Sequence, residues 1–285
     1  MSIEIHTVGV VGAGQMGAGI AQVAAQAGYD VIVSDVADAA LQKGKKSIGD
    51  SLARLVKKEA LTPAAADAAL AKITFTTDVA AHKKSDFIVE AATENEALKK
   101  KIFADLDATA RDGVILASNT SSISITRLAA STKRPTSFIG MHFMNPVPVM
   151  KLVEIIRGIA TDDDTYVATK ALAEKMGKTT TVSKDFPGFL ANRILMPMIN
   201  EAFYALMEGV GSAEDIDTTM KLGTNQPMGP LTLADFIGLD TCLAIMNVLH
   251  DGLGDAKYRA CPLLRQYVDA GWTGKKSGRG VYTYA

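Results

Sequence analysis

The string Gly12-Ala13-Gly14-Gln15-Met16-Gly17 constrains this chain most, because of what stands on either side of it. A β-branched apolar run at 7–11 leads into it, and an Ala-rich helical pattern ending near Gly28 leads out. A second apolar run at 31–34 then closes on Asp35, about 20 residues beyond the glycines. A Gly-x-Gly-x-x-Gly string alone is weak, but strand, turn, helix and acidic residue in this order specify a dinucleotide site. Gly12 permits the tight turn, Gly14 lets a pyrophosphate approach the backbone, and Gly17 lets the helix close on the strand. The helix N-terminus then faces the phosphates. Gln15 and Met16 belong to the same turn and join the glycines as candidate cofactor contacts. The Asp35 carboxylate accepts both ribose hydroxyls and repels a 2′-phosphate, which points to NAD rather than NADP.

The same alternation continues along the chain. Apolar runs at 73–76, 87–91, 114–117, 138–142, 152–156 and 179–182, separated by helical patterns, predict an α/β Rossmann-type doubly wound sheet. Between 31–34 and 73–76 stand two helices, one over 37–60 and a shorter one with Thr62 as N-cap and Pro63 at its first position. A crossover needs only one helix, so the excess, about 37–72, is a candidate ligand arm. After Asp185 the β-runs stop and apolar residues recur at helical spacing, in Phe189, Ile194, Met198, Ala202 and Leu206. Ser212 with Asp215 reads as the cap of a further helix that Gly223 stops, and helical patterns cover 231–249 and 263–270. The expected domains are a Rossmann-type unit over 1–184 and an all-helical one over 185–285.

With 48% hydrophobic and 21% charged residues, a chain of 285 residues is ordered and globular. A net charge of −1 creates no field that would draw in nucleic acid or an anionic membrane, so an anionic ligand must be held locally. Cys242 and Cys261, with no Cys-x-x-Cys and no histidine pair, predict neither a metal site nor a disulfide framework, but two reduced thiols. The segment from Met1 to His6 lacks the basic and apolar regions of a signal peptide. The longest membrane-span candidate, 231–249, contains Asp235 and Asp240. A cytoplasmic protein is the expectation.

Two residues stand out as misfits in apolar strands. His142 ends the run 138–142, just before Pro146 and Pro148, and ligands of doubly wound sheets sit beyond such carboxyl ends. Glu154 lies among aliphatics in Leu152-Val153-Glu154-Ile155-Ile156, where a carboxylate needs a partner. Paired, the carboxylate would orient the imidazole and leave its outer nitrogen as a general base. A strand-end histidine alone is more often structural, and Glu154 reads also as a residue of an exposed sheet face, but a chain that binds a hydride acceptor also needs a base for the hydroxyl proton. His6, His82 and His250 have no such setting and read as surface or packing residues. Ser118-Asn119-Thr120-Ser121-Ser122 also follows a strand, and either caps the next helix or holds a substrate hydroxyl. Asn192 sits early in a helical pattern, on an apolar face that explains it poorly.

These segments, with Glu90-Ala91-Ala92-Thr93-Glu94-Asn95, Gly140-Met141-His142-Phe143-Met144-Asn145-Pro146-Val147, Pro187-Gly188-Phe189-Leu190-Ala191-Asn192-Arg193 and Gly278-Arg279-Gly280-Val281-Tyr282, resemble the L-3-hydroxyacyl-CoA dehydrogenase family along essentially the whole chain. The resemblance implies reversible NAD-dependent oxidation of an (S)-3-hydroxyacyl-CoA, of short chain such as 3-hydroxybutyryl-CoA, to the 3-oxoacyl-CoA. It implies His142 as catalytic base with Glu154 as partner, Ser121 on the 3-hydroxyl, and Asn192 positioning substrate and histidine. Asn145 would lie beside substrate and cofactor. The implied NAD contacts are Asp35, Glu94, Lys99 and Asn119. The implied CoA contacts are Ser51 and Lys58 on the arm, where Lys43, Lys45, Lys46 and Lys57 either add positive charge or form a solvated face. A homodimer through the C-terminal helical domain is implied as well. Two further readings remain: a gulonate-type hydroxy-acid dehydrogenase that uses no CoA, and a non-catalytic crystallin-like NAD-binding protein.

Overall fold

In the computed structural model, which describes residues 3–284, the apolar runs become eight strands of one sheet. The chain opens with β1 (Thr7–Val11), α1 (Gln15–Gln26), β2 (Asp30–Ser34), α2 (Asp38–Lys57), α3 (Pro63–Ala71) and β3 (Ile73–Thr76). It continues with β4 (Phe87–Glu90), α4 (Glu96–Thr109), β5 (Ile115–Ser118), α5 (Ile125–Ala129) and β6 (Phe138–Phe143). Then come β7 (Leu152–Arg157), α6 (Asp163–Lys175) and β8 (Thr179–Lys184). The strand order is β3-β2-β1-β4-β5-β6-β7-β8, whose first six places are the doubly wound order with its switch point between β1 and β4. β4 and β5 are buried along their whole length, which is why they read as continuous apolar runs.

Every neighbouring pair is parallel except β6 and β7. A parallel return needs a crossover of roughly a dozen residues or more, and residues 144–151 are too few for it. β7 therefore comes back antiparallel, and the register sets His142 opposite Glu154.

The two helices expected to form a ligand arm are also a packed layer. Leu41, Ile48 and Leu52 of α2 and Ala66 and Ala69 of α3 share the core of α1. Gly44 lets α2 touch the glycine turn, since a Cβ there would lie 2.7 Å from the Ala13 carbonyl oxygen. The other face of α2 carries Lys43, Lys45, Lys46 and Lys57 into solvent. Thr62 Oγ1 accepts from Ala65 N and so caps α3.

A second unit begins at Pro187. It contains α7 (Ala191–Met207), α8 (Ala213–Gly223), α9 (Pro230–Ile237), α10 (Leu239–Leu253) and α11 (Pro262–Asp269). Its core is built on Met196, Phe203, Leu231, Leu239, Met246 and Leu264. The pattern read as one helix over 231–249 is two, bent by 98° around Gly238, whose φ of 102° is available to glycine at little cost. Among the described residues no single helix is long and apolar enough to cross a membrane, and the apolar side chains of the bent pair fill this core. α9 has no side-chain cap of its own. The Asp217 carboxylate on α8 replaces one, accepting from Leu231 N and Thr232 N at 2.8 Å each.

His82 lies fully buried beneath β2, with Nε2 2.8 Å from Ser34 Oγ. Burial pushes its pKa from 6.5 down to about 4, against the smaller opposing effect of the Asp78 charge. Between those values the unfolded chain binds a proton that the folded chain refuses, so stability falls as pH drops through the window. A His82→Asn chain unfolded in urea at pH 7 and pH 4 should lose less stability between the two than the parent, by up to about 3 kcal/mol. Identical losses would show that His82 is not the acid-sensitive group.

Candidate active site

The glycine turn closes on the switch point. Gly12 has φ 104°, and a Cβ on it would lie 2.7 Å from the carbonyl oxygen of Ala91, just beyond β4. At Gly14 no described atom lies within 4 Å of the corresponding point, so the outer side of the turn is open. It opens beside the first turn of α1, which has no side-chain cap and whose N–H groups lack intrahelical acceptors. Such a turn fits a pyrophosphate. Asp35 is held beside it: Oδ2 accepts from Ala13 N at 2.8 Å and Oδ1 from Ala37 N at 3.2 Å. The end of β2 is thereby tied to the turn, with a carboxylate where a ribose would stand.

Near the carboxyl end of β6 the antiparallel register brings His142 Nδ1 within 3.3 Å of Glu154 Oε2. The two side chains are 10% and 1% exposed. A carboxylate only accepts, so a neutral imidazole in this contact carries its hydrogen on Nδ1 and presents Nε2 as the basic nitrogen. Asn119, just past β5, accepts with Oδ1 from Phe143 N at 2.9 Å and braces the same strand end.

Glu94 faces the serine-rich segment. Its Oε1 accepts from Thr120 Oγ1 at 2.5 Å, Ser121 N at 2.8 Å and Ser121 Oγ at 3.2 Å. Burial would raise its pKa, but the Lys99 charge and the hydrogen bonds from Thr120 and Ser121 outweigh that and hold the carboxyl below its usual range. Of the two readings of the segment, capping falls to Ser124, whose Oγ accepts from Arg127 N at 3.2 Å. Ser121 is engaged with Glu94 instead.

Lys99 differs from expectation. Its side chain is 1% exposed, and its ammonium sits 2.6 and 2.9 Å from the oxygens of Glu90 and 3.5 Å from Glu94 Oε2. It stands beneath Glu94 and not on an open surface, and its charge is engaged by the two carboxylates. Its partner Glu90 went unread in the sequence, although Phe87-Ile88-Val89-Glu90 shows the same carboxylate among aliphatics that singled out Glu154.

Gln15, Ser51, Lys58 and Asn145 line one cavity of about 300 Å³, together with Gln22 and Arg54. Gln15 Nε2 donates to Asn145 Oδ1 at 3.0 Å across it. Arg54 is a second cation that the sequence reading passed over among the lysines. The loop carrying Asn145 is held from below by Lys178, whose ammonium donates to the carbonyls of Val147 and Met150. Burial lowers the pKa of Lys178. In the second unit, Asn192 is buried and is the second residue of α7. First-turn positions tolerate a polar side chain that a helix interior does not, so the helix itself accommodates Asn192.

A glycine turn of this kind, with its carboxylate at a doubly wound switch point, marks an NAD-dependent oxidoreductase. Residues 7–186 match the family model for the 3-hydroxyacyl-CoA dehydrogenase NAD binding domain, and residues 188–284 match the C-terminal domain of the same family. A 3-hydroxybutyryl-CoA dehydrogenase from Bradyrhizobium diazoefficiens is 57% identical over 284 residues, covering 100% of this chain and 97% of that protein. One from Clostridioides difficile is 46% identical over 275 residues, covering 96% of this chain and 98% of that protein. A solved (S)-3-hydroxybutyryl-CoA dehydrogenase from Ralstonia eutropha superposes with a TM-score of 0.97 at 55% identity, covering 99% of this chain and 100% of the other. The chain belongs to the 3-hydroxyacyl-CoA dehydrogenase family, enzymes that oxidise 3-hydroxyacyl-CoA with NAD.

An Asp35→Asn variant should show a ratio of kcat/KM for NADH over NADPH reduced by about tenfold, since it keeps an acceptor but loses the charge that repels a 2′-phosphate. Steady-state kinetics with both cofactors checks this, and an unchanged ratio would place the discrimination elsewhere.

Proposed function

We propose that this chain interconverts (S)-3-hydroxybutyryl-CoA and acetoacetyl-CoA, with His142 as general base. The observation that carries the reading is the cross-strand contact of 3.3 Å between His142, near the carboxyl end of β6, and Glu154 of β7. NAD, held by the turn at Gly12, Gly14, Gln15, Met16 and Gly17 with Asp35, Glu94 and Asn119 around it, supplies the acceptor for the C3 hydride. His142 Nε2 takes the 3-hydroxyl proton, and Glu154 stabilises the imidazolium that results. Ser121 holds the 3-hydroxyl for that transfer, and Asn192 helps position substrate and histidine. The CoA moiety lies along the cavity at Ser51 and Lys58, with Asn145 at its inner side, and Lys58 and Arg54 balance its phosphates. In reduction the protonated His142 returns its proton to the developing alkoxide. A four-carbon acyl group is favoured because relatives at 55–57% identity are named for it.

The reading includes a homodimer through the second unit, on which Ile194, Val210 and Leu222 expose 70%, 75% and 75% of their surface. It also places the protein in the cytoplasm, a reducing compartment that suits the free buried thiols Cys242 and Cys261.

His142→Gln should lower turnover by about 10² to 10⁴ while NADH still binds. Near-parental turnover would remove His142 from the reaction. Oxidation needs neutral His142 and reduction needs it protonated, so their rate profiles should run oppositely near neutral pH, and parallel profiles would contradict the assignment. Turnover of 3-hydroxybutyryl-CoA should exceed that of free 3-hydroxybutyrate and of gulonate. Faster turnover of either free acid would support a CoA-independent enzyme, and turnover of none a binding protein.

A further inference from the structure

The buried ion pair at the end of β4 has no part in the chemistry just described, yet it is connected to it. Glu90 is fully buried, and its two oxygens accept from Lys99 Nζ at 2.6 and 2.9 Å, Ala92 N at 2.7 Å and Ser118 Oγ at 2.7 Å. Lys99 rises from the first turns of α4, and its ammonium is shared unequally, with the near contacts to Glu90 and a longer one of 3.5 Å to Glu94 Oε2. Glu94 then turns its other oxygen to the backbone and hydroxyl of Ser121. One cation thus serves two carboxylates, the inner one immobilised by the sheet and the outer one gripping the serine loop.

We propose that Glu90 and Lys99 are positioning residues for Ser121, acting through Glu94. The inference rests on the assignment of Ser121 to the substrate hydroxyl. Glu90 decides where the ammonium stands, because it makes the shorter contacts and cannot move without breaking its bonds to Ala92 and Ser118. The ammonium in turn fixes Glu94 Oε2, which leaves Oε1 to face residues 120–122. An ionised Glu94 can only accept, so Ser121 Oγ donates to it here, and the cluster fixes where that oxygen stands, within reach of turning its O–H to the substrate oxygen. Loosening Glu90 would free the ammonium to move toward Glu94 and let Ser121 Oγ turn.

A double-mutant cycle on the full-length enzyme tests this, using Glu90→Gln and Ser121→Ala with kcat and KM for 3-hydroxybutyryl-CoA as the readout. Glu90→Gln should lower kcat by about tenfold in the parent, a size in keeping with small misplacements of a positioning group. In the Ser121→Ala background the same substitution should change kcat by less than about twofold, because its effect travels through the missing hydroxyl. Equal factors in both backgrounds would overturn the proposal and leave Glu90 a purely structural residue. If Ser121→Ala alone leaves kcat at the parental value, the assignment of Ser121 fails first, a result distinct from equal factors. Should Glu90→Gln yield no folded protein, Glu90→Asp keeps the charge, withdraws it from Lys99 and enters the same cycle with the same two outcomes.

Discussion

The reversal of strand direction between β6 and β7 is the constraint on which the site depends. Antiparallel neighbours place directly opposed side chains on one face of a sheet, close enough to touch. That geometry brings together two residues 12 positions apart, one near the carboxyl end of its strand and one in the middle of the next. A parallel return would have set the Arg157 end of β7 beside the carboxyl end of β6 and left both His142 and Glu154 buried without each other. Leaving a buried charge such as the Glu154 carboxylate without its partner costs about 3–5 kcal/mol, so the sheet and the site stabilise the same arrangement.

The rest of the carboxyl edge follows a related logic. Carboxylates stand after β2, at the end of β4 and just beyond it. Each has its charge engaged: Asp35 with two backbone N–H groups, Glu90 with Lys99, and Glu94 with Lys99 and the serine loop. The glycine turn at the start of α1 stays open and has no side-chain cap, which suits it to a pyrophosphate. The net charge of −1 is an average over these engaged carboxylates and the cationic outer face of α2.

What could be read in the sequence was local chemistry. The glycine turn with Asp35, the buried strands and the Ser212–Asp215 cap each depend on a few neighbouring residues, and each stands where its pattern placed it. Strand limits moved by a residue or so, as from 114–117 to Ile115–Ser118. Interactions supplied from elsewhere left no such trace: Asp217 caps α9 from another helix, and Asp185 accepts from Ile125 N and Thr126 N across some sixty positions of sequence. The bend at Gly238 was hidden because helical periodicity resumes at once with Leu239. Lys99 shows the converse case. Its identity matched a family contact, but only the fold reveals that its charge points into the protein. Glu90 carried a readable signal, a carboxylate in an apolar strand, that gains meaning only beside Lys99.

We propose that Glu154 holds His142 in one tautomer, with hydrogen on Nδ1 and Nε2 as the nitrogen that takes the substrate proton. Nitrogen-15 NMR of histidine-labelled protein reads this directly, because the chain has 4 histidines and a His142→Gln sample assigns the signal that disappears. At a pH where His142 is neutral, its Nδ1 should resonate as a protonated nitrogen and its Nε2 as a bare one. A signal from the opposite tautomer, with hydrogen on Nε2, would contradict the account.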